Sequence, residues 1–313
     1  MKDCNKCNGR IQWIDIAKAI AIILMVVGHT SIPSIASDFI YAFHMPLFFI
    51  ASGWTTNWNK YSFCDFIKKR SISLLFPFFF YSVIVLFIHV HYGWMTMDEW
   101  LVKGWGDGYA LWFIPVLFIA TIIVKSLYAF RETGGGRLFW VALVMVLSLG
   151  IDLHYYHMRL TWNLSSIPYA VFMIVVGSEW SKLDFKFLRW IRFIVAISAF
   201  LVVLIISHYW RLDICFNNIT PILPLTIGAI SGSIIVFLMA KMIEKYSGKL
   251  ATLFISIGKE TYVIVAFSQI TIMLLNEYFQ LNVAIKYALL IMVLIIIKYA
   301  KDAVNSVLKT KIL

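Results

Sequence analysis

The sequence predicts an all-α, polytopic integral membrane protein of about ten transmembrane helices, with both termini in the cytosol. Three observations carry that expectation. The 313 residues are 61% hydrophobic and only 14% charged, with a mean hydropathy of +0.85; one soluble core of this length cannot bury so much apolar surface. Ten apolar runs follow one another with short connections, and each approaches the roughly 20 residues that cross a bilayer core. Lys and Arg gather in alternate connections, at Lys2 to Arg10, Lys60 to Arg70, Lys125 to Arg137, Lys182 to Arg192, Lys241 to Lys249 and Lys298 to Lys311. The intervening loops hold little beyond Lys103, Arg159, Arg211 and Lys286, which is the positive-inside pattern. The excess of 27 basic over 16 acidic residues is thereby explained by topology, and no nucleic-acid partner is expected.

Residues 1–12 read as a polar, basic cytosolic tail, and the run after it lacks a small-residue cleavage site, so a first span at 13–30 is expected in place of a removed signal peptide. Further spans are expected near 38–56, 72–90, 109–129, 138–153, 161–180, 190–209, 221–242, 256–276 and 283–300. Residues 13–305 would form one transmembrane domain, and 306–313 a second cytosolic tail. Some spans are interrupted by Pro46, Pro77, Pro115, Pro168, Pro221 and Pro224, which membrane helices tolerate where neighbours satisfy the freed carbonyls. No internal repeat and no inverted pair of broken helices is legible.

Of the four cysteines, Cys4 and Cys7 make a lone CxxC, half of a tetrahedral zinc site, so no metal is expected. Cys64 and Cys215 fall on opposite sides of the membrane and should not pair. The longest outer loop, His89 to Ala110, carries Asp98-Glu99-Trp100 and Gly104-Trp105-Gly106-Asp107-Gly108. Its tryptophans, with Trp94 and Trp112, suit either an interfacial belt or a carbohydrate surface.

Ionisable groups are costly in hydrocarbon, and an intramembrane one is a functional candidate by default. Lys18 and His29 lie eleven residues apart on the first span. Eleven steps of about 100° return to within roughly 20° of the start, so the two share a helix face about 16 Å apart along the axis. His44, in Phe43-His44-Met45-Pro46, begins the inward-running second span and should lie at a depth similar to His29. An imidazole is the natural general base for a hydroxyl; His44 also reads as a histidine satisfied by a backbone carbonyl at a helix start. Asp15 stands at ion-pair spacing from Lys18, which is either a neutralised interfacial lysine or a phosphate contact. Asp15, Lys18, His29 and His44 form the candidate catalytic set. Lys68, Lys69 and Arg70 precede the third span as a stop-transfer anchor or a phosphate clamp, and the sequence leaves both readings open.

The Lys18-x10-His29 spacing resembles the Arg/Lys-x10-His motif of the membrane acyltransferase-3 family. The chain is most similar to the sugar O-acetylase branch, typified by fucose 4-O-acetylase-like proteins. Trp13 to Lys18 with Val27 to Thr30, Phe43 to Gly53, Lys69-Arg70 through Leu74 to Pro77, and Leu111 to Phe118 match four ordered blocks of that branch. Further on, hydropathy and the Ile257-Gly258-Lys259-Glu260-Thr261 turn agree. The resemblance implies transfer of an acetyl or other small acyl group from cytosolic acyl-CoA to a hydroxyl of a surface or lipid-linked glycan, in the cytoplasmic membrane of a bacterium. His29 matches the family's essential histidine and Arg70 its cytosolic arginine. Ser73 stands where a second basic residue is common, and Ser268 where a histidine is common. On this reading the phosphates of acetyl-CoA lie near Lys68, Lys69 and Arg70, with the thioester beside Lys18. His29 serves as general base or acetyl carrier, and Trp112, Phe113 and Ser52 contact substrate. The rival expectations are a transporter or flippase of a polar substrate, and an N-acyl or succinyl transferase. The oligomeric state is not legible.

Overall fold

The structure, a computed structural model, describes residues 11–30, 32–99, 109–132, 135–156, 160–183, 189–279 and 282–312. Cys4, Cys7, Trp100 and the Gly104 to Gly108 stretch lie outside the described residues. The described chain is helical almost throughout: α1 (Gln12–Gly28), α2 (Ser34–Tyr41), α3 (His44–Thr55), α4 (Phe63–Arg70), α5 (Phe76–His91), α6 (Phe113–Glu132) and α7 (Gly136–Tyr155) are followed by α8 (Ile167–Trp180), α9 (Arg189–Tyr209), α10 (Ile222–Tyr246), α11 (Gly248–Lys259), α12 (Thr261–Tyr278) and α13 (Val283–Ile312). Each of the ten apolar runs contains helix. Among the described residues, six helical stretches are long and apolar enough to cross a membrane, or seven with α11 and α12 taken together.

Helices α1, α3 and α8 occupy the middle. α1 has 17 residues and α8 has 14. Ile16, Ala17 and Ile22 of α1 and Tyr169, Met173 and Ile174 of α8 are wholly buried. A helix that is apolar on every side belongs inside a bundle, and these two are enclosed by the longer, more exposed helices. Helix α8 crosses α3 closely enough that a Cβ on Gly53 would stand 1.9 Å from the Ile174 carbonyl oxygen, and one on Gly177 2.0 Å from that of Ile50. The indole N–H of Trp58, just beyond α3, donates to Ser178 Oγ at 2.8 Å and locks the same pair.

Four local features differ from the regular spans that the sequence suggests. The second span begins at Ser34, and its helical backbone is interrupted beside His44, where Phe43 adopts φ −143°. A π-helical segment, Ser71–Leu75, joins α4 to α5. Helices α11 and α12 bend by 76° at Glu260, where the sequence suggests one continuous span at 256–276. Helix α13 runs on through Ile312, past the expected end of the last span. Pro46, Pro115, Pro168 and Pro224 fall in first turns and Pro221 is an N-cap, whereas Pro77 lies inside the continuous helical stretch Phe63–His91, directly after its π-helical segment.

Between α9 and α10 the chain folds inward as a small hairpin. Asp213 and Asn218 exchange backbone hydrogen bonds of 3.1 and 2.8 Å, and Leu212, Ile214 and Ile219 are buried. Its backbone is satisfied by side chains from the α7–α8 region: Asn163 Nδ2 donates to the Cys215 carbonyl at 2.8 Å, Ser166 Oγ to Ile214 at 2.5 Å and His154 Nδ1 to Asn217 at 2.8 Å. Non-helical backbone near a membrane is stable only with partners of this kind. Cys215 sits in this hairpin and Cys64 on α4, and no disulfide joins them.

Candidate active site

One face of α1 organises the centre of the bundle. Lys18, Ile22 and Met25 line a first cavity of about 200 Å³; Met25 and His29 line a second of about 280 Å³. The spacing 18, 22, 25, 29 is a single helical stripe, so the shared face expected for Lys18 and His29 is present. The two cavities lie back to back, because Met25, Met45 and Ala110 line both.

The first cavity is cationic at its edge. Arg70 reaches it from the end of α4, with Nη2 donating to Thr56 Oγ1 at 2.6 Å. Ser52, Phe113, Thr261 and Tyr262 complete much of the wall. The bend between α11 and α12 delivers the last two, and the Tyr262 hydroxyl donates to the Leu74 carbonyl at 2.8 Å within the π-helical segment. Such segments leave carbonyls misaligned with the helical ladder and recur at functional sites.

The second cavity holds the histidines. His29 follows the last residue of α1 and its Nδ1–H donates to the Met25 carbonyl at 2.7 Å. A carbonyl only accepts, so Nδ1 carries the proton and Nε2 of the neutral ring keeps its lone pair. The Tyr41 hydroxyl points at that Nε2 from 3.4 Å. His44 repeats the arrangement one helix away, its Nδ1–H donating to the Ile40 carbonyl at 2.9 Å. The carbonyl-satisfied reading of His44 is therefore correct, and the residue also lines the cavity. The rings form a cluster, with centroids 6.3 Å apart for His29 and His44 and 5.0 Å for Tyr41 and His44.

Charge enters this cavity from the hairpin. Asp213 lines it, and Arg211 stands at its rim, where Nη1 pairs with Asp38 at 2.5 Å and the guanidinium covers the Tyr41 ring at 3.8 Å. Burial pushes the Asp213 carboxyl above its ordinary value, opposed by the backbone N–H of Phe216, by Arg211 and by His29. Trp112 and Gln269 face the same space, and Gln269 Oε1 accepts the Ala110 N–H at 3.1 Å. The cavity thus offers imidazole, carboxyl, amide and aromatic groups. Among the described residues, no three His, Cys, Asp or Glu side chains converge as a metal-binding set.

Lys18, Arg70, Ser52 and Phe113 meet at the first cavity, and His29, His44 and Trp112 at the second. Asp15, Lys68 and Lys69 reach neither. Asp15 is buried, with its backbone against Gly258 of α11. Lys69 lies over the Tyr61 ring at 3.6 Å, and Lys68 is exposed. The three consecutive cations thus do not act from one face. Sequence reading missed Tyr41, Arg211, Asp213 and Gln269. The legible signal was Arg211-Leu212-Asp213 itself, two charges inside a connection that the positive-inside pattern leaves nearly neutral.

A family model described as an acyltransferase domain matches residues 11–300, taking in both cavities and every helix that lines them. Comparison with curated proteins gives no match, and comparison with solved structures gives none.

Proposed function

The chain belongs to the acyltransferase 3 family, and from that premise we propose that it is an O-acyltransferase of the bacterial cytoplasmic membrane. It moves an acetyl group from cytosolic acetyl-CoA to a hydroxyl of a surface or lipid-linked sugar, as a sugar O-acetylase would. In this reading 13–305 is one domain of ten spans with both termini cytosolic, and the Arg70 end of the bundle faces the cytosol.

One observation carries the reading: His29, whose Nδ1–H the Met25 carbonyl holds, lines a cavity that is back to back with a second, cation-edged one. Acetyl-CoA brings its thioester into the first cavity beside Lys18, with Arg70 near the phosphates. The acceptor hydroxyl sits in the second, against Trp112 and Asp213. His29 Nε2 takes the hydroxyl proton as the oxygen bonds to the acetyl carbon; the C–S bond breaks, and the thiolate of CoA is protonated on release. In the carrier version Nε2 first bonds to the acetyl carbon as the C–S bond breaks and CoA leaves as thiolate; the sugar oxygen then bonds to that carbon as the N–C bond breaks, and its proton passes to Nε2 and on to the thiolate. The separation of the two cavities favours the carrier version. In either version a positive imidazolium forms, and the Asp213 carboxylate on the same cavity opposes that charge.

The test uses purified protein, labelled acetyl-CoA and a membrane glycan extract, comparing wild type with His29→Ala. Glycan-dependent acetyl transfer should fall by about 10²–10⁴-fold, the usual contribution of a general base. Transfer that persists unchanged removes His29 from the mechanism. Uptake of a polar solute with no loss of acetyl from CoA indicates transport, and a product carrying succinyl or an amide-linked acyl group indicates the other transferase chemistries.

A further inference from the structure

Met25 and Met45 hold a position that the reaction just described does not by itself explain. Both line the cation-edged cavity and the histidine cavity, and the third residue common to the two is Ala110. The wall between the cavities is thus two thioether side chains and one methyl group thick. Each methionine is fixed at its backbone by the catalytic apparatus. The Met25 carbonyl holds His29 Nδ1, and Met45 follows His44 at the start of α3. Ala110 is tied down by Gln269. Met25 is also the only methionine of α1, set between Ile22-Ile23-Leu24 and Val26-Val27. Isoleucine and valine are stiff at χ1, whereas methionine has three rotatable bonds and reshapes itself around a neighbour.

We propose that Met25 and Met45 form the partition which the acyl group must cross, and that they set the upper limit on its chain length. The inference rests on the acyl-transfer reading and deepens it by assigning donor specificity to two residues. The thioester carbonyl carbon has to come within bonding distance of His29 Nε2 or of the acceptor oxygen, both beyond the partition. The CoA sulfur, one bond away, then sits in the opening between the thioether arms. A two-carbon group passes when the thioether arms swing aside. Each further methylene has to occupy the space that those arms fill, or displace the acceptor from a cavity of about 280 Å³. Neither methionine touches the reacting atoms through a polar group, so they are specificity residues and not part of the proton pathway.

Truncating the partition should therefore change which donor is used while leaving the chemistry intact. Purified wild type, Met25→Ala, Met45→Ala and Met25→Leu would be compared with acetyl-, butyryl- and hexanoyl-CoA in the presence of the glycan extract. The ratio of kcat/KM for butyryl over acetyl should rise by tenfold or more in the alanine variants, since one methylene in an apolar pocket discriminates by about 10–200-fold. Met25→Leu, similar in volume but branched, should keep the wild-type ratio and lower kcat for acetyl transfer. Met25 is 1% exposed and its truncation opens a core cavity, whereas Met45 is partly exposed, so Met45→Ala carries the test if Met25→Ala does not fold. A ratio in Met45→Ala less than tenfold above wild type overturns the assignment, while acetyl transfer by wild type leaves the function standing. A folded wild type inert towards every acyl-CoA overturns the function, and the assignment with it.

Discussion

Adding one methyl group to Gly258 should disable the protein from outside the site. A Cβ on Gly258 would stand 2.0 Å from the Asp15 carbonyl oxygen, 2.7 Å from its carbon and 3.1 Å from its Cα. The closest ordinary C···O approach is about 3.3 Å, so helices α1 and α11 would have to part by about 1.3 Å there. All three obstructing atoms are backbone, and no side-chain rotation relieves them. Overpacking of this kind costs about 1–3 kcal/mol. The displaced element is the one that bears Lys18, Met25 and His29, and Lys18 is only three residues from the point of collision. A 1 Å misplacement of reacting groups costs roughly 10²-fold in rate. Thermal unfolding of the purified protein and glycan-dependent acetyl transfer read the two effects separately. The same helix supplies the control: a Cβ on Gly248 meets nothing within 4 Å, so Gly248→Ala should leave both readings at wild-type values or raise stability slightly. A Gly258→Ala protein with wild-type melting and wild-type rate refutes the reasoning. So does a Gly248→Ala protein damaged to the same degree, since the loss would then belong to glycine replacement in general and not to the crossing.

Two further perturbations separate structural from functional roles. Burial raises the Asp213 carboxyl above its ordinary value in the folded chain, so over the window between the unfolded value of about 3.9 and the folded one, the native state binds more protons than the unfolded state. The stability contribution of Asp213 is complete below that window and lost as pH rises through it, leaving the carboxylate a net cost at neutral pH. Asp213→Asn should therefore match or exceed wild-type melting at pH 7, the difference closing in acid below about pH 4, while acyl transfer falls about tenfold or more as the imidazolium loses its counter-charge. Lower stability at pH 7 together with full activity would show that Asp213 only holds the hairpin. Arg70→Lys keeps the charge but loses the planar fork that bonds Thr56. It should raise KM for acetyl-CoA about tenfold with little change in kcat or in KM for the acceptor; an unchanged donor KM would detach Arg70 from the phosphates.

The parts legible in the sequence were those set by local periodicity. Lys18 and His29 could be placed on one face because a continuous helix fixes the angle between them, and the structure fills the stripe with Ile22 and Met25. The same arithmetic bears on the basic run. Residues 68, 69 and 70 on a helix project about 100° apart, so three adjacent cations cannot all meet one phosphate group, and only Arg70 reaches the cavity. What could not be read locally is what long-range partners decide. The apolar pattern continues unbroken through Ala42 and Phe43, yet the helix breaks there. The hairpin after α9 depends on Asn163, Ser166 and His154, 48 to 63 residues away, and nothing between residues 210 and 221 announces that its backbone will be satisfied inside the bundle. Its charges nevertheless were visible. A lysine near a cytosolic helix end serves topology and needs no further cause. Arg211 and Asp213 stand in a connection that the charge pattern leaves nearly neutral, and folding an acid inward raises its cost. That cost falls in the cavity that His29 also lines, where the proposed transfer forms a positive charge, and the neutral-pH penalty together with the rate loss expected of Asp213→Asn is the measurable form of that exchange.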